Sequence, residues 1–255
     1  MQQNEVNQKP IEQNQFLKRA KVPGFGGVFL KENHEYSPSD LEKDFLRYLL
    51  EMKYMTALQV EKKFCENKDL VINLRELLKA GYLKTKGDEI LSESLIVPLK
   101  KSHEYIKSKY PEKLIPDTLT RVFEPAVRHD LLLVDLRIRF EKLRFLERWF
   151  SEESLRQLPL MNQAFQDLPD ALCRKPNGKS YFLELEISKK TLKDYDTRIS
   201  NCQKVLALEG IKSLGVEGVI FVCTDPKVVE ILKEKTKDLK NISVFPISRY
   251  LPEHK

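Results

Sequence analysis

The sequence predicts an α/β protein in two parts, on three observations: three short amphipathic helices followed by a hairpin, a proline-punctuated break after residue 110, and then an alternation of strands and helices that implies a mixed sheet covered by helices. At 255 residues, with 41% apolar and 32% charged, the chain has the composition of a soluble globular protein and the length of two domains. Residues 1–36 are rich in Gln and Asn and pass through Gly24, Gly26 and Gly27, too little periodic apolar surface for a core. They read as a flexible arm, either a solvated tail or a segment that touches DNA or a partner.

From Ser37 the texture changes. Ser39 and Glu42 form a capping box with Pro38 beside it, and Leu41, Phe45, Leu49 and Met52 repeat at helical spacing. Thr56 and Gln59 open a second helix through Leu58, Val60 and Phe64; a third carries Leu70, Leu74, Leu77 and Leu78 and stops at Gly81. Tyr82–Lys86 and Ile90–Leu91 then flank a turn at Gly87-Asp88-Glu89, ahead of a strand-like Leu95–Leu99 and a helix from Lys101 to Lys109. This is the order of a winged helix-turn-helix domain over residues 37–110. In that arrangement the third helix enters a DNA major groove and the hairpin touches phosphates. Asn73, Arg75 and Lys79 are the polar groups on the helix, and Lys84 and Lys86 lie in the wing. Arg and Asn suit base edges; Lys suits phosphates. Winged helices also serve as protein-docking modules, and Asp69, Glu76, Asp88 and Glu89 dilute the positive field.

Residues 111–118 form the linker and 119–255 the second domain. Its elements are a helix over 126–138, a strand-like stretch over 144–150, a strand at 171–173, a turn at Pro176-Asn177-Gly178-Lys179, a strand over 181–187, a helix over 191–209, a buried strand over 216–223, a helix over 226–238 and a last strand over 242–247. Asn-Gly between two strands is a strong hairpin signal. In the strand after the turn, alternation sends Tyr181, Leu183, Leu185 and Ile187 to one face and Phe182, Glu184 and Glu186 to the other. Two like charges on one face of a central strand need a compensator, and a divalent cation is the simplest. Asp170, on the preceding arm, is brought alongside them by the hairpin.

Proline-aspartate, a hairpin and then an acid pair on the next strand resembles the active-site order of PD-(D/E)xK nucleases, with their restriction-endonuclease-like mixed-sheet core. That resemblance implies Mg2+ or Mn2+ held by Asp170, Glu184 and Glu186, activating a water against a phosphodiester. Glu186 departs from the pattern by standing where the family has Lys. Lys190, on the same strand parity, or Lys204 or Arg198 on the following helix, could supply the missing cation. Glu186 could instead pair with Lys190.

The second half also resembles the replication-relaxation family of plasmid proteins, which includes mobilisation relaxases. The resemblance is carried by the winged helix, His129-Asp130 in an amphipathic helix, Trp149 with Ser151-Glu152, Leu168-Pro169-Asp170-Ala171, Phe182-Leu183-Glu184-Leu185-Glu186, and a following helix with Lys and Tyr positions, over roughly residues 38–250. It implies binding and nicking or relaxing of double-stranded plasmid DNA, with accessory mobilisation or replication proteins as partners. It adds His129, Asp130 and Glu152 as accessory candidates, against the simpler readings of a packed His and a helix-terminus acid.

Missing motifs disfavour nucleotide binding by a phosphate loop and an elbow-serine hydrolase. There is no GxGxxG, GxxxxGK[ST] or GxSxG. Cys65, Cys173, Cys202 and Cys223 have no metal-ligand spacing and read as reduced thiols. No apolar run reaches the roughly 18 to 20 residues of a membrane span, and the N-terminus lacks a signal peptide, so a cytoplasmic protein without membrane contact is expected. Tyr195 lies in the apolar stripe Leu192, Tyr195, Ile199, Cys202 and Leu206, a core face rather than a nucleophile's position. Three readings follow: a metal-dependent endonuclease on a DNA-binding platform, a catalytically silent DNA-binding regulator of plasmid replication or transcription, or a protein-interaction module.

Overall fold

Ser39 starts the first helix by the box expected of it: its Oγ accepts from Glu42 N–H at 3.3 Å, while Glu42 Oε2 accepts from Ser39 N–H at 2.8 Å. The computed structural model describes residues 36–64, 72–88, 93–111, 115–116, 122–165 and 167–253, all in the unit that begins at His34. The expected arm over 1–36, Cys65, Leu70 and most of the 111–118 linker lie outside those residues, apart from Tyr36, Pro111, Ile115 and Pro116. Helix α1 (Asp40–Met52) buries Phe45, Leu46 and Leu49. Thr56 and Gln59 exchange the same pair of bonds at 3.1 and 3.2 Å to launch α2 (Ala57–Phe64) from the two-residue β1 (Met55–Thr56). Helix α3 (Leu74–Lys79) is capped by Asn73, whose side chain accepts from Glu76 N–H.

The wing corrects one expectation. Its arms are β2 (Leu83–Asp88) and β3 (Glu93–Pro98), paired from Leu83↔Pro98 to Asp88↔Glu93, so the second arm is the Leu95 strand itself and not Ile90–Leu91, which lie outside the described residues. This register buries Leu95, Ile96 and Val97 together. β1 joins β3 on its other side, giving the order β1-β3-β2, and α4 (Lys100–Lys109) follows.

Helix α5 (Glu124–Lys142) runs longer than its apolar stripe predicts, because Pro125 is accommodated in the first turn and Arg144 closes the last. Arg144 takes φ +52°, with Arg144 N–H donating to Glu141 C=O at 3.0 Å and Phe145 N–H to Phe140 C=O at 2.8 Å. That double closure is the Schellman motif, with Arg where Gly is usual. It delays β4 (Arg148–Ser151) to residue 148, four later than expected. After α6 (Glu152–Leu155) and α7 (Pro159–Ala164) come β5 (Ala171–Arg174), the Asn177-Gly178 turn with Gly178 at φ +81°, β6 (Ser180–Glu186), α8 (Leu192–Leu206), α9 (Glu209–Ser213), β7 (Val216–Cys223), α10 (Pro226–Thr236) and β8 (Ile242–Pro246). The helix expected over 191–209 is α8, which ends three residues earlier, and α9 follows it as a separate helix. The sheet order is β4-β5-β6-β7-β8; the first three strands are antiparallel neighbours and the last three parallel. At Gly218 a Cβ would meet Asn241 O at 2.2 Å, so only glycine fits there.

Alternation along β6 is as the sequence indicates. Leu183 and Leu185 face a core that includes Phe45 and Leu49 of α1, Leu132 and Leu136 of α5, and Trp149 of β4. Phe182 faces the core under α8 and α10, with Tyr195, Ile199, Phe221 and Leu232. The first core is shared by both halves of the chain. A buried ion cluster crosses the same seam: Arg137 of α5 stacks 3.8 Å from the Tyr48 ring centroid and pairs with Glu51 at 2.7 Å and Glu141 at 3.0 Å. Among the described residues no helix is long and apolar enough to cross a membrane.

Candidate functional site

The C-terminal end of β6 positions the expected acids. Glu184 and Glu186 are 4% and 2% exposed, on the face covered by α8. Arg198, one turn and a half into α8, donates to Glu184 Oε2 and stands 3.3 Å from Glu186 Oε1. Lys190 Nζ reaches both oxygens of Glu186, at 2.9 and 3.0 Å. Of the three candidate cations the fold therefore brings Arg198 and Lys190 to the acids; Lys204 is exposed and forms no ion pair among the described residues. Burial pushes the Glu184 carboxyl above its ordinary value; Arg198 opposes the rise, and the charges of Asp170 and Glu186 add to it. Tyr195 is fully buried and its hydroxyl accepts from Lys190 N–H at 3.0 Å, fixing the loop that carries Lys190.

Asp170 stands where β5 has not yet begun. Its Oδ2 accepts from Leu185 N–H at 2.7 Å, standing in for the strand carbonyl that β6 would otherwise lack. The same oxygen lies 3.3 Å from His129 Nε2. His129 Nδ1 lies 3.4 Å from Asp130 Oδ1, and Asp130 Oδ2 accepts from Tyr54 O–H at 2.7 Å. Burial on its own would lower the His129 pKa, but the bonds and charges of Asp130 and Asp170 outweigh it and raise it to about 10, so the ring is an imidazolium. Burial likewise works against the Asp130 carboxylate, and His129, Lys53 and Tyr54 outweigh it to hold its pKa below the ordinary value. Asp170, His129, Asp130 and Lys53, with Trp149 and Glu152, line a cavity of about 160 Å3. Glu152 pairs with Arg156 at 2.5 Å, and burial raises its carboxyl despite Lys53 and Arg156.

The acids expected to share one cation are thus already engaged. Both oxygens of Glu186 and one of Glu184 face cations, and the Asp170 oxygen holds a backbone amide and an imidazolium. Among the described residues no three metal-capable side chains converge. A divalent ion asks for about six oxygen ligands with open lone pairs, and as arranged these residues do not fit one.

No protein-family model matches the chain, and no characterised protein or solved structure is significantly similar to it. What the site does must come from its own geometry.

On the first half of the chain, the five candidate DNA contacts divide. Asn73 is consumed as the α3 cap, its N–H also donating to Glu42 Oε1 at 3.1 Å. Lys79 pairs with Glu76 at 3.0 Å and Lys86 with Glu124 at 3.3 Å. Arg75 and Lys84 are exposed and form no ion pair among the described residues. Lys53 and Tyr54 were not legible as site residues. Lys53 has a backbone conformation that no sequence signal announces, and Tyr54 finds its partner 76 positions away. Cys173, Cys202 and Cys223 are buried thiols pushed up to about 12 by that burial, which makes them inert.

Proposed function

We propose that the chain is a DNA-binding protein of winged-helix type whose second half is a restriction-endonuclease-like scaffold held catalytically silent, a regulator of the kind found in plasmid replication or mobilisation. The observation that carries the reading is the order α1-β1-α2-α3-β2-β3 with sheet order β1-β3-β2, which leaves Arg75 on α3 and Lys84 in the wing exposed. That is the layout in which a helix is laid into a major groove with a hairpin against the phosphates. The silent half of the reading rests on Arg198 and Lys190, which neutralise Glu184 and Glu186 without a metal. The test is anisotropy of labelled duplex DNA against salt. We expect affinity that falls with rising salt, with Arg75→Ala weakening binding and Lys84→Ala lowering the salt slope by about one. Absence of duplex binding at low salt overturns the reading.

A Mg2+- or Mn2+-dependent endonuclease is the second reading, favoured by one observation. Three antiparallel strands followed by two parallel ones place Asp170 close enough to Glu184 for its charge to be felt there, the strand order that the resemblance to PD-(D/E)xK enzymes implies. It requires Arg198 to leave Glu184. Nicking of supercoiled plasmid with either metal, lost in Asp170→Ala, would replace the first reading with this one.

A further inference from the structure

Lys53 is one of two non-glycine residues with a positive φ among the described residues. Its φ of +70° and ψ of −49°, with Tyr54 N–H donating to Met52 C=O at 2.8 Å, make a three-residue γ-turn of the strained kind, which a non-glycine residue adopts only when its surroundings impose it. The turn closes α1 and delivers two side chains to the seam: Tyr54, bonded to Asp130, and Lys53, whose ammonium stands 3.6 Å from Asp130 Oδ2 and 4.0 Å from Glu153 Oε1. Both distances exceed hydrogen-bond reach, although the Lys53 side chain is only 17% exposed. Beside it Trp149 is 5% exposed, and its buried Nε1–H has no partner among the described residues. A strained turn, an under-satisfied ammonium and an orphaned indole N–H around one cavity describe a joint that has room to rearrange and polar groups that gain by doing so.

From this turn an unbroken polar chain leads to the acidic centre. Tyr54 and Lys53 meet Asp130, Asp130 meets His129, His129 meets Asp170, and Asp170 holds Leu185 N–H, the residue between Glu184 and Glu186 on β6. We propose that this chain couples the DNA-binding half to the acidic centre. Engagement of duplex DNA through α3 and the wing shifts the γ-turn, repacks the seam around Trp149 and alters how Asp170 holds the end of β6. The bistable element is the γ-turn, and the differential contacts are those of Lys53 and Trp149, unmet in the structure described and met in the alternative. The proposal rests on the DNA-binding reading above.

Trp149 is the sole tryptophan of the chain, so its emission reports this joint alone, and its burial keeps DNA from touching it directly. The experiment titrates the full chain with random-sequence labelled duplex DNA, recording label anisotropy and tryptophan emission together, for the wild type, Arg75→Ala and Asp170→Asn. The expected result is an emission change that saturates with the anisotropy, is diminished with binding in Arg75→Ala, and is accompanied in Asp170→Asn by a change in DNA affinity of about fivefold or more. DNA binding with unchanged wild-type emission overturns the coupling and leaves the DNA-binding reading standing. An absence of DNA binding by anisotropy overturns both. The wild-type emission decides the matter even if the Asp170 variant fails to fold.

Discussion

Removing the Arg198 cation while keeping its bulk, as in Arg198→Met, isolates what holds the acidic centre. Glu186 keeps Lys190 on both oxygens, so the cost falls on Glu184, a carboxylate 4% exposed and left without its partner. The carboxyl's cheapest escape is to take up a proton. From an ordinary value of 4.5, neutralising it at pH 7 costs 2.5 pK units, about 3.4 kcal/mol at 1.36 kcal/mol per unit, and at pH 5 only about 0.7 kcal/mol. Burial already raises the Glu184 pKa to about 8 beside Arg198, so the wild type bears nearly all of this at pH 7, and the further cost of losing Arg198 opens only as pH climbs above 8, at up to about 1.4 kcal/mol per pH unit. The sign follows from linkage: a carboxyl raised in the folded state binds more protons there than in the unfolded chain, so its penalty grows as pH rises from 4.5 upward. Thermal unfolding should therefore show a loss relative to wild type of about 2 to 3 kcal/mol at pH 10, or about 5 to 10 °C in Tm for a chain of this size, shrinking below about 1 kcal/mol at pH 7. Glu184→Gln in the same background should recover most of it. A loss equal at the two pH values, or a double variant no more stable than Arg198→Met, would refute the argument.

Three further outcomes follow from the described geometry. Arg144→Gly relieves the left-handed φ of +52° at the α5 cap and should stabilise by about 1 kcal/mol, raising Tm by about 2 to 4 °C. His129 has its folded pKa raised to about 10, so its stabilising share is whole below its unfolded value of 6.5 and disappears as pH climbs through 10. Denaturant melts of wild type minus His129→Gln should lose stability across that window by up to about 1.4 kcal/mol per pH unit, and a flat difference contradicts the imidazolium assignment. Gly218→Ala drives a Cβ to 2.2 Å from the Asn241 carbonyl and should destabilise by about 3 kcal/mol or more, read as loss of soluble folded protein at 37 °C.

Much of the fold was legible because local chemistry and tertiary packing agree. Ser39 with Glu42, Thr56 with Gln59, and Asn177-Gly178 each encode a bond or a φ value that the fold uses, and strand alternation placed Glu184 and Glu186 on one face. What failed was decided by distant partners. The wing's second arm is set by its register against β2 over Glu93–Pro98. The Schellman closure at Arg144 carries no glycine to announce it, and the helix break after Leu206 lies where Gly210 approaches Leu160 to within 2.9 Å of a Cβ position, a contact invisible in one dimension. At the site, spacing identified the acids but could not choose among Lys190, Arg198 and Lys204. Reach across a strand-to-helix connection depends on how α8 lies on the sheet, and that packing selected Arg198 and Lys190.

The apolar cluster that unites Phe45 and Leu49 with Trp149, Leu183 and Val222 has a consequence for how the protein comes apart. The C-terminal portion has one core to itself and shares the other with the N-terminal portion. Cutting the polypeptide near residue 118 would strip each fragment of a wall and expose a broad greasy surface, so melting should proceed in one step by every spectroscopic probe, and neither excised piece should persist alone.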